Sequence, residues 1–397
     1  MKRTELMLIG LSSSICAILL TETNYQIAKS KVDIPSSYAK LPLHNNENHF
    51  CKGPKKRMQI DPLRESMEFP NQHYFEYRNQ KARFHSYNRH GYRSNSPNGE
   101  DPKDITNVKK SVWVFGDSFT RGSLADNSET IPSQLTKLSN NDMTFVNFGV
   151  GGHGYLNALR HLEWASQNMK HIPKAIIFIG HANDIMDDQR ASARFKELSS
   201  YRDQSQITPI EPITPTWKAA LKNFPYAYSR LSMIKYTAKN FIIPRINRVP
   251  NSPISLPQKY LDQSKTNHAQ FLNKAQSITS LVFSAYIPSL YEDKVPGYEG
   301  MDTLNRKIMR ESAKTINSSY LYLSFEKITE IAKSRKINLS SRFDIHGSPD
   351  MHYNELGYYL AALAISDQIS SYSNLEFKSK LTSYDSIDYS KTEACPL

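Results

Sequence analysis

Cysteine is scarce, with three in 397 residues, and that excludes a disulfide-dense scaffold. Glycine is limited to fifteen residues without a Gly-X-Y period, which excludes a collagen-like chain. Only one apolar run stands out and the mean hydropathy is −0.57, so the chain is not a polytopic membrane protein. Acidic residues are in deficit: 38 Asp and Glu face 50 Lys and Arg, a net charge of +12. Such an excess invites an anionic partner, nucleic acid included. What is present is enough apolar material, 39% hydrophobic and 11% aromatic residues, to bury a sizeable core. Global disorder is excluded on that count. The length would hold two or three average domains or one large α/β unit.

The charge is concentrated. Between Arg190 and Lys274, fourteen basic residues meet four acidic ones, and eight of the 21 prolines fall in the same stretch. An irregular basic insertion over 190–274 is the expectation, with a short helix around Tyr226–Lys239. Trp217, Phe224, Tyr226, Tyr228 and Tyr236 supply it with rings suited to stacking on sugars. It reads either as a lid that attracts an anionic polysaccharide or phospholipid head groups, or as a solvated excursion covering one side of the fold.

At the N-terminus, Lys2-Arg3 precede an apolar run from Leu6 to Leu20. A basic start before such a run is an export signal. As a helix the run rises about 22 Å, short of the ~30 Å hydrocarbon core of a bilayer. No small-x-small cleavage site follows it, so a cleaved signal peptide and a retained membrane anchor both stay open. Cys16 follows Ile15, where a lipoprotein site needs a small residue. Export to a periplasmic or extracellular compartment leaves Cys51 and Cys395 as a pair that an oxidising environment would join. Export also removes nucleic acid as a partner.

Residues 31–108 are polar, carry Pro35, Pro42, Pro54, Pro62 and Pro70, and read as loop. A regular pattern starts at Val112-Trp113-Val114-Phe115, an unbroken apolar run of the kind buried on both faces of a parallel sheet. Similar runs occupy 145–148, 175–179 and 281–286. Helical spacing separates them: Ile131, Leu135 and Leu138, then Leu156, Leu159 and Leu162. The segments 320–336 and 354–369 also read as helices. Strands alternating with helices predict a three-layer α/β/α domain around a central parallel sheet. The implied division is a signal or anchor over 1–25, an extension over 26–108, a catalytic domain over 109–375 and a tail over 376–397.

Short motifs follow the predicted strands. Gly116-Asp117-Ser118-Phe119-Thr120 sets a serine at a strand end, opening a helix, where α/β folds place their sites. Alone, that serine reads better as a helix N-cap; the motifs around it change that reading. The second strand leads into Asn147-Phe148-Gly149-Val150-Gly151-Gly152-His153-Gly154, whose glycines let backbone N–H groups approach a ligand. The third leads into Gly180-His181-Ala182-Asn183-Asp184, an amide donor at the same edge. Asp350-Met351-His352 lies near the C-terminus, and residues two apart in extended chain share a side, so Asp350 can orient His352. A second Asp-x-His, Asp344-Ile345-His346, competes on spacing. Asn354 and Gly357 open the last helix directly after the first pair, which favours Asp350 and His352.

These four blocks together resemble the SGNH hydrolases, the GDSL-type esterase and lipase superfamily, over about 112–188 and 278–370. Asn88-Arg89-His90-Gly91-Tyr92-Arg93 is similar to a segment that precedes the serine block in exported bacterial-type members. Gly180 stands three residues before Asn183, where the family's pattern has two. The resemblance implies a flavodoxin-like fold, with Ser118 as nucleophile, His352 as general base and Asp350 orienting it. It implies an oxyanion hole made of the Ser118 and Gly152 N–H groups and the Asn183 side chain. A serine needs a base to become nucleophilic, and the oxyanion needs donors already in place. No cofactor and no metal is implied. His153, His181 and Trp217 are expected around the substrate without a catalytic role, and Asp117 and Asp184 as loop stabilisers. The expected activity is hydrolysis of acyl esters, acetyl above all, on a small molecule or a cell-envelope or extracellular polysaccharide, with contact to a membrane surface open. An O-acyltransferase and a non-catalytic carbohydrate-binding module are the alternatives.

Overall fold

Five parallel strands form the centre of the molecule: β6 (Ser111–Gly116), β7 (Thr144–Asn147), β8 (Ala175–Gly180), β9 (Val282–Tyr286) and β10 (Ser319–Tyr322). Their order across the sheet is β10-β9-β8-β6-β7. The computed structural model describes residues 33–35, 58–61, 63–78, 81–96, 105–201, 256–289, 300–346, 352–373, 375, 377 and 392–394. The apolar runs are strands because both faces are covered. Val112, Val114, Phe145, Ile177 and Ile179 point into one cluster, while Trp113, Phe115, Val146, Ile176 and Phe178 point into the other. That is the period-two alternation of a strand, with an apolar residue on each side.

Helices fill both layers: α1 (Ser118–Arg121), α2 (Ile131–Leu138), α3 (Tyr155–Asn168), α4 (Asp184–Tyr201), α5 (Gln258–Gln276), α6 (Met301–Ile316), α7 (Phe325–Ser334) and α8 (Glu355–Tyr372). Helices α3, α5 and α6 contribute to the cluster around Trp113 and Phe115, and α2, α7 and α8 to the one around Val112 and Val114. The expected three-layer α/β/α fold is therefore present, with the flavodoxin-like order 2-1-3-4-5 in its core strands. In that order the switch point, where α/β sheets bind ligands at the carboxyl ends of their strands, lies between β6 and β8.

Three expectations need correction. The segment 320–336 is not one helix: Ser319–Tyr322 pairs with β9 as an edge strand, and the helix starts only after Ser324, whose hydroxyl caps it by accepting from Lys327 N–H. Alternating Tyr and Leu suits a half-buried edge. The segment 190–274 is not irregular at its ends, because α4 and α5 take up 190–201 and 258–274; residues 202–255, with Trp217 and the predicted helix at 226–239, lie outside the described residues. The segment 31–108 is not all loop. It holds two antiparallel hairpins, β2 (Met58–Asp61) with β3 (Glu65–Glu68) and β4 (His73–Arg78) with β5 (Lys81–Ser86). Met67, Tyr92 and Ile105 from this region enter the core. Buried Arg93 locks it down, donating to the carbonyls of Phe84, Gly122 and Ala125 and to Asn127 Oδ1 at 2.7–3.0 Å.

A short strand near each end of the chain, β1 (Asp33–Pro35) and β11 (Thr392–Ala394), pair antiparallel. The signal or anchor at 1–25, Cys51 and Cys395 lie outside the described residues. Among the described residues no helix is long and apolar enough to cross a membrane.

Candidate functional site

Strand β6 is buried throughout and stops at Gly116. The next residue, Asp117, caps α1 by accepting from Phe119 N–H through Oδ1 at 2.9 Å. Ser118 is thus the first helical residue and not the cap, which leaves its hydroxyl for other partners. One of them is decisive for the geometry: His352 Nε2 lies 2.7 Å from Ser118 Oγ, across 234 residues of sequence. Asp117 Oδ2 is the alternative acceptor for that hydroxyl, at 3.3 Å.

His352 stands just before α8, whose start is built tightly. Asn354 caps the helix by accepting from Gly357 N–H at 3.0 Å, and its own N–H donates to Ile345 O at 3.0 Å. His346 and Tyr353 form a β-bridge beside it. Of the two Asp-x-His pairs, the structure brings His352 to Ser118. His346 is buried with its ring edge-on to Tyr353, and Asp344 accepts from the backbone N–H groups of Ser340 and Ser341, bonds that hold its carboxyl below the usual range. Asp350 lies outside the described residues.

The loop after β7 comes close enough to α1 to require glycine. A Cβ on Gly149 would stand 2.4 Å from Arg121 N, which no side chain tolerates. Gly152 has φ +76°, a conformation L side chains rarely adopt, with open space where its Cβ would be. It is exposed and lies three residues ahead of α3.

Asn183 sits in the turn before α4, and three side chains hold its carboxamide. Nδ2 donates to Asp117 Oδ2 at 3.0 Å and to Asp187 Oδ2 at 2.6 Å, while Oδ1 lies 2.6 Å from His181 Nδ1. Asp187 also pairs with Arg190. Burial pushes the Asp187 carboxyl up to about 6, with Arg190 opposing the rise and Asp117 adding to it. Asp184 accepts from His181 N–H at 2.8 Å, the loop-stabilising part expected of it, and burial raises its carboxyl well above the ordinary value.

The two flanking histidines differ. His181 stacks on Phe119 with ring centroids 3.9 Å apart, Phe119 in turn lies 4.8 Å from the His352 ring, and burial lowers the His181 pKa. His153 is not at the rim of the site. It is buried in a relay running from Tyr92 OH through His161 (2.9 Å) to His153 (2.9 Å) and Ser66 Oγ (3.1 Å). Both of its ring nitrogens are engaged, which leaves none for a substrate. Burial lowers it to about 3, so it stays neutral near pH 7. Among the described residues no cluster of His, Cys, Asp and Glu is placed to hold a metal ion.

Sequence reasoning missed the roles of Asp117, Asp187 and Arg190 around Asn183. One signal was available for Asp187: it lies four residues after Asn183, the spacing that puts side chains together on a helix.

No family model matches the chain, and no curated protein matches it by sequence. Solved structures that the chain is similar to include the following esterases. A psychrotrophic esterase from Pseudoalteromonas sp. is 13% identical, with a TM-score of 0.39 over 67% of this chain and 100% of that one. A carbohydrate acetylesterase from Sinorhizobium meliloti is 11% identical, with a TM-score of 0.38 over 67% and 100%. An acetyl-xylooligosaccharide esterase from Geobacillus stands at 10%, 0.38, 67% and 96%. These likenesses are distant, and the functional reading rests on the chain's own residues.

Proposed function

We propose that this chain is a serine esterase of the SGNH type that removes acyl groups, acetyl above all, from a carbohydrate. The observation that carries the reading is the 2.7 Å contact between Ser118 Oγ and His352 Nε2 at the carboxyl edge of the sheet, with the Asn183 amide tied to the same Asp117 carboxylate that faces the serine. In the proposed reaction His352 takes the Ser118 proton as Oγ attacks the ester carbonyl. The tetrahedral oxyanion is met by the Ser118 and Gly152 N–H groups and by the Asn183 amide. Collapse expels the sugar alcohol, which leaves with the proton from His352. Water, deprotonated by the same imidazole, then attacks the acyl-serine, and the free acid and Ser118 are regenerated. Asp350 is assigned to orient His352.

Purified chain incubated with p-nitrophenyl acetate, with and without an oligosaccharide, tests this. Acetate release that vanishes in Ser118→Ala supports hydrolysis, and acetylated oligosaccharide would point to an acyltransferase instead. Activity no higher than that of Ser118→Ala would leave a carbohydrate-binding module. Asn183→Ala is expected to lower kcat by about 10² to 10³, the usual worth of one oxyanion donor, in a protein that stays folded by circular dichroism but melts lower, because two buried carboxylates lose a donor.

A further inference from the structure

We propose that Asp187, braced by Arg190, is a positioning residue that aims the Asn183 amide at the reaction centre. The proposal rests on the esterase reading for its kinetic consequence, though not for the contact itself.

Both amide hydrogens of Asn183 are bonded to carboxylates, Asp117 at 3.0 Å and Asp187 at 2.6 Å. A donor so engaged must release one bond to meet an oxyanion. The two bonds are unequal. Asp117 Oδ2 is shared with Ser118 Oγ and is the longer contact. Both carboxylates are buried, but the Asp187 bond is the shorter, its oxygen is not shared with the serine, and Arg190 holds the other oxygen of the same carboxylate. The Asp117 contact is therefore the one that yields, and Asp187 is the pivot about which the carboxamide stays aimed. The two acceptor-only carboxylates fix which end of the amide carries the hydrogens, and Asn183 Oδ1 then accepts from His181 Nδ1.

Arg190 has two effects in this arrangement. It fixes the other Asp187 oxygen, and it offsets a negative charge that would otherwise stand beside a developing oxyanion. The charged groups acting on Asp187 include Arg190 and Asp184 on its own helix, Asp117 on the loop after β6, and Glu65 on β3, which is itself paired with Arg194 of the same helix. Arg190 is the cation paired directly with Asp187, so its removal lets burial and the surrounding carboxylates drive Asp187 further up.

The test is kinetic and spectroscopic on the full chain. Asp187→Ala is expected to lower kcat for p-nitrophenyl acetate about 10- to 100-fold, the loss of one charged hydrogen bond, with KM within about twofold. Asp187→Asn, which keeps an acceptor, is expected to recover part of it. An unchanged kcat, or a loss confined to KM, overturns the proposal. With asparagine labelled selectively in ¹⁵N, the Asn183 side-chain amide signals, identified by their loss in Asn183→Ala, should titrate in the wild type with an inflection near pH 6. The inflection should move to higher pH in Arg190→Gln and vanish in Asp187→Asn. Amide signals indifferent to these changes overturn the contact whether or not the protein hydrolyses esters. A titrating amide in a protein without Ser118-dependent activity would retain the Asp187 contact and remove the esterase reading.

Discussion

Asp117 joins two jobs in one carboxylate: Oδ1 caps α1, and Oδ2 faces both Ser118 and Asn183. They separate by substitution. Asp117→Ala should cost about 1 kcal/mol from the lost cap. Asp117→Ser should restore the cap, and with it the urea midpoint, while leaving Asn183 held by Asp187 alone, so kcat should not fall for want of the Asn183 contact, the one that yields to the oxyanion. A kcat that drops in Asp117→Ser with stability restored would make the Asp117 contact, not the Asp187 one, the pivot. Ser118, Asn183 and His352 were legible because each stands in a short motif at a strand end or before a helix. His153 was misplaced for a physical reason. Its position beside Gly152 suggested the rim, but its partner Ser66 lies 87 residues away, and no spacing in the sequence announces a contact that distant.

At the scale of elements, the first turn of α4 and the start of α3 touch through backbone. A Cβ on Gly154 would lie 2.5 Å from Asp184 O and 2.7 Å from Asp188 N. Gly154→Ala should therefore destabilise by about 1–3 kcal/mol, the usual cost of overpacking, read as a lowered urea midpoint with unchanged slope. The buried pair between Arg121 on α1 and Glu68 on β3, at 2.8 Å, ties the N-terminal hairpin to the serine's own helix. Glu68→Ala removes the carboxylate from that buried pair and should lower the urea midpoint, since breaking a buried pair by removing one partner is destabilising. The four buried strands were legible as apolar runs, whereas the edge strand Ser319–Tyr322 was not, since its half-exposed alternation gives a weaker signal than the helix that follows. Helices α4 and α5 were obscured by their charge: Arg190, Arg194, Lys259 and Lys265 read as a basic excursion, although Asn267, Phe271 and Leu272 on the other side of α5 are core.

Over the whole molecule, buried titratable groups set opposite limbs of stability against pH. His153 and His268 are lowered by burial to about 3. The unfolded chain takes up these protons below about 6.5 and the folded one does not, so stability falls as pH drops from 6.5 toward 3. Glu129 runs the other way: burial first, then the charges of Asp126 and Glu355, raise it to about 8. The folded state keeps a proton that the unfolded state loses near 4.5, so this contribution falls as pH rises toward 8. Melting temperature should decline from pH 6.5 to 8, and Glu129→Gln should flatten that decline while leaving the acid limb intact. A parallel decline in the variant would assign the alkaline limb elsewhere. None of this was legible in the sequence, because burial of a histidine or glutamate depends on which layer covers it. The fold class was legible, because alternation of strand and helix is a local signal repeated along the chain.

The 234 residues between Ser118 and His352 also order events in time. A ribosome adding about 5–20 residues per second makes Ser118 roughly 10–50 s before His352. During that interval the segments of β6, β7 and β8 have been made, and with them the serine and both loops at the switch point, yet the His352 imidazole has not. On the proposed reading the nascent chain carries a dormant nucleophile, armed only when α8 seats against the finished sheet.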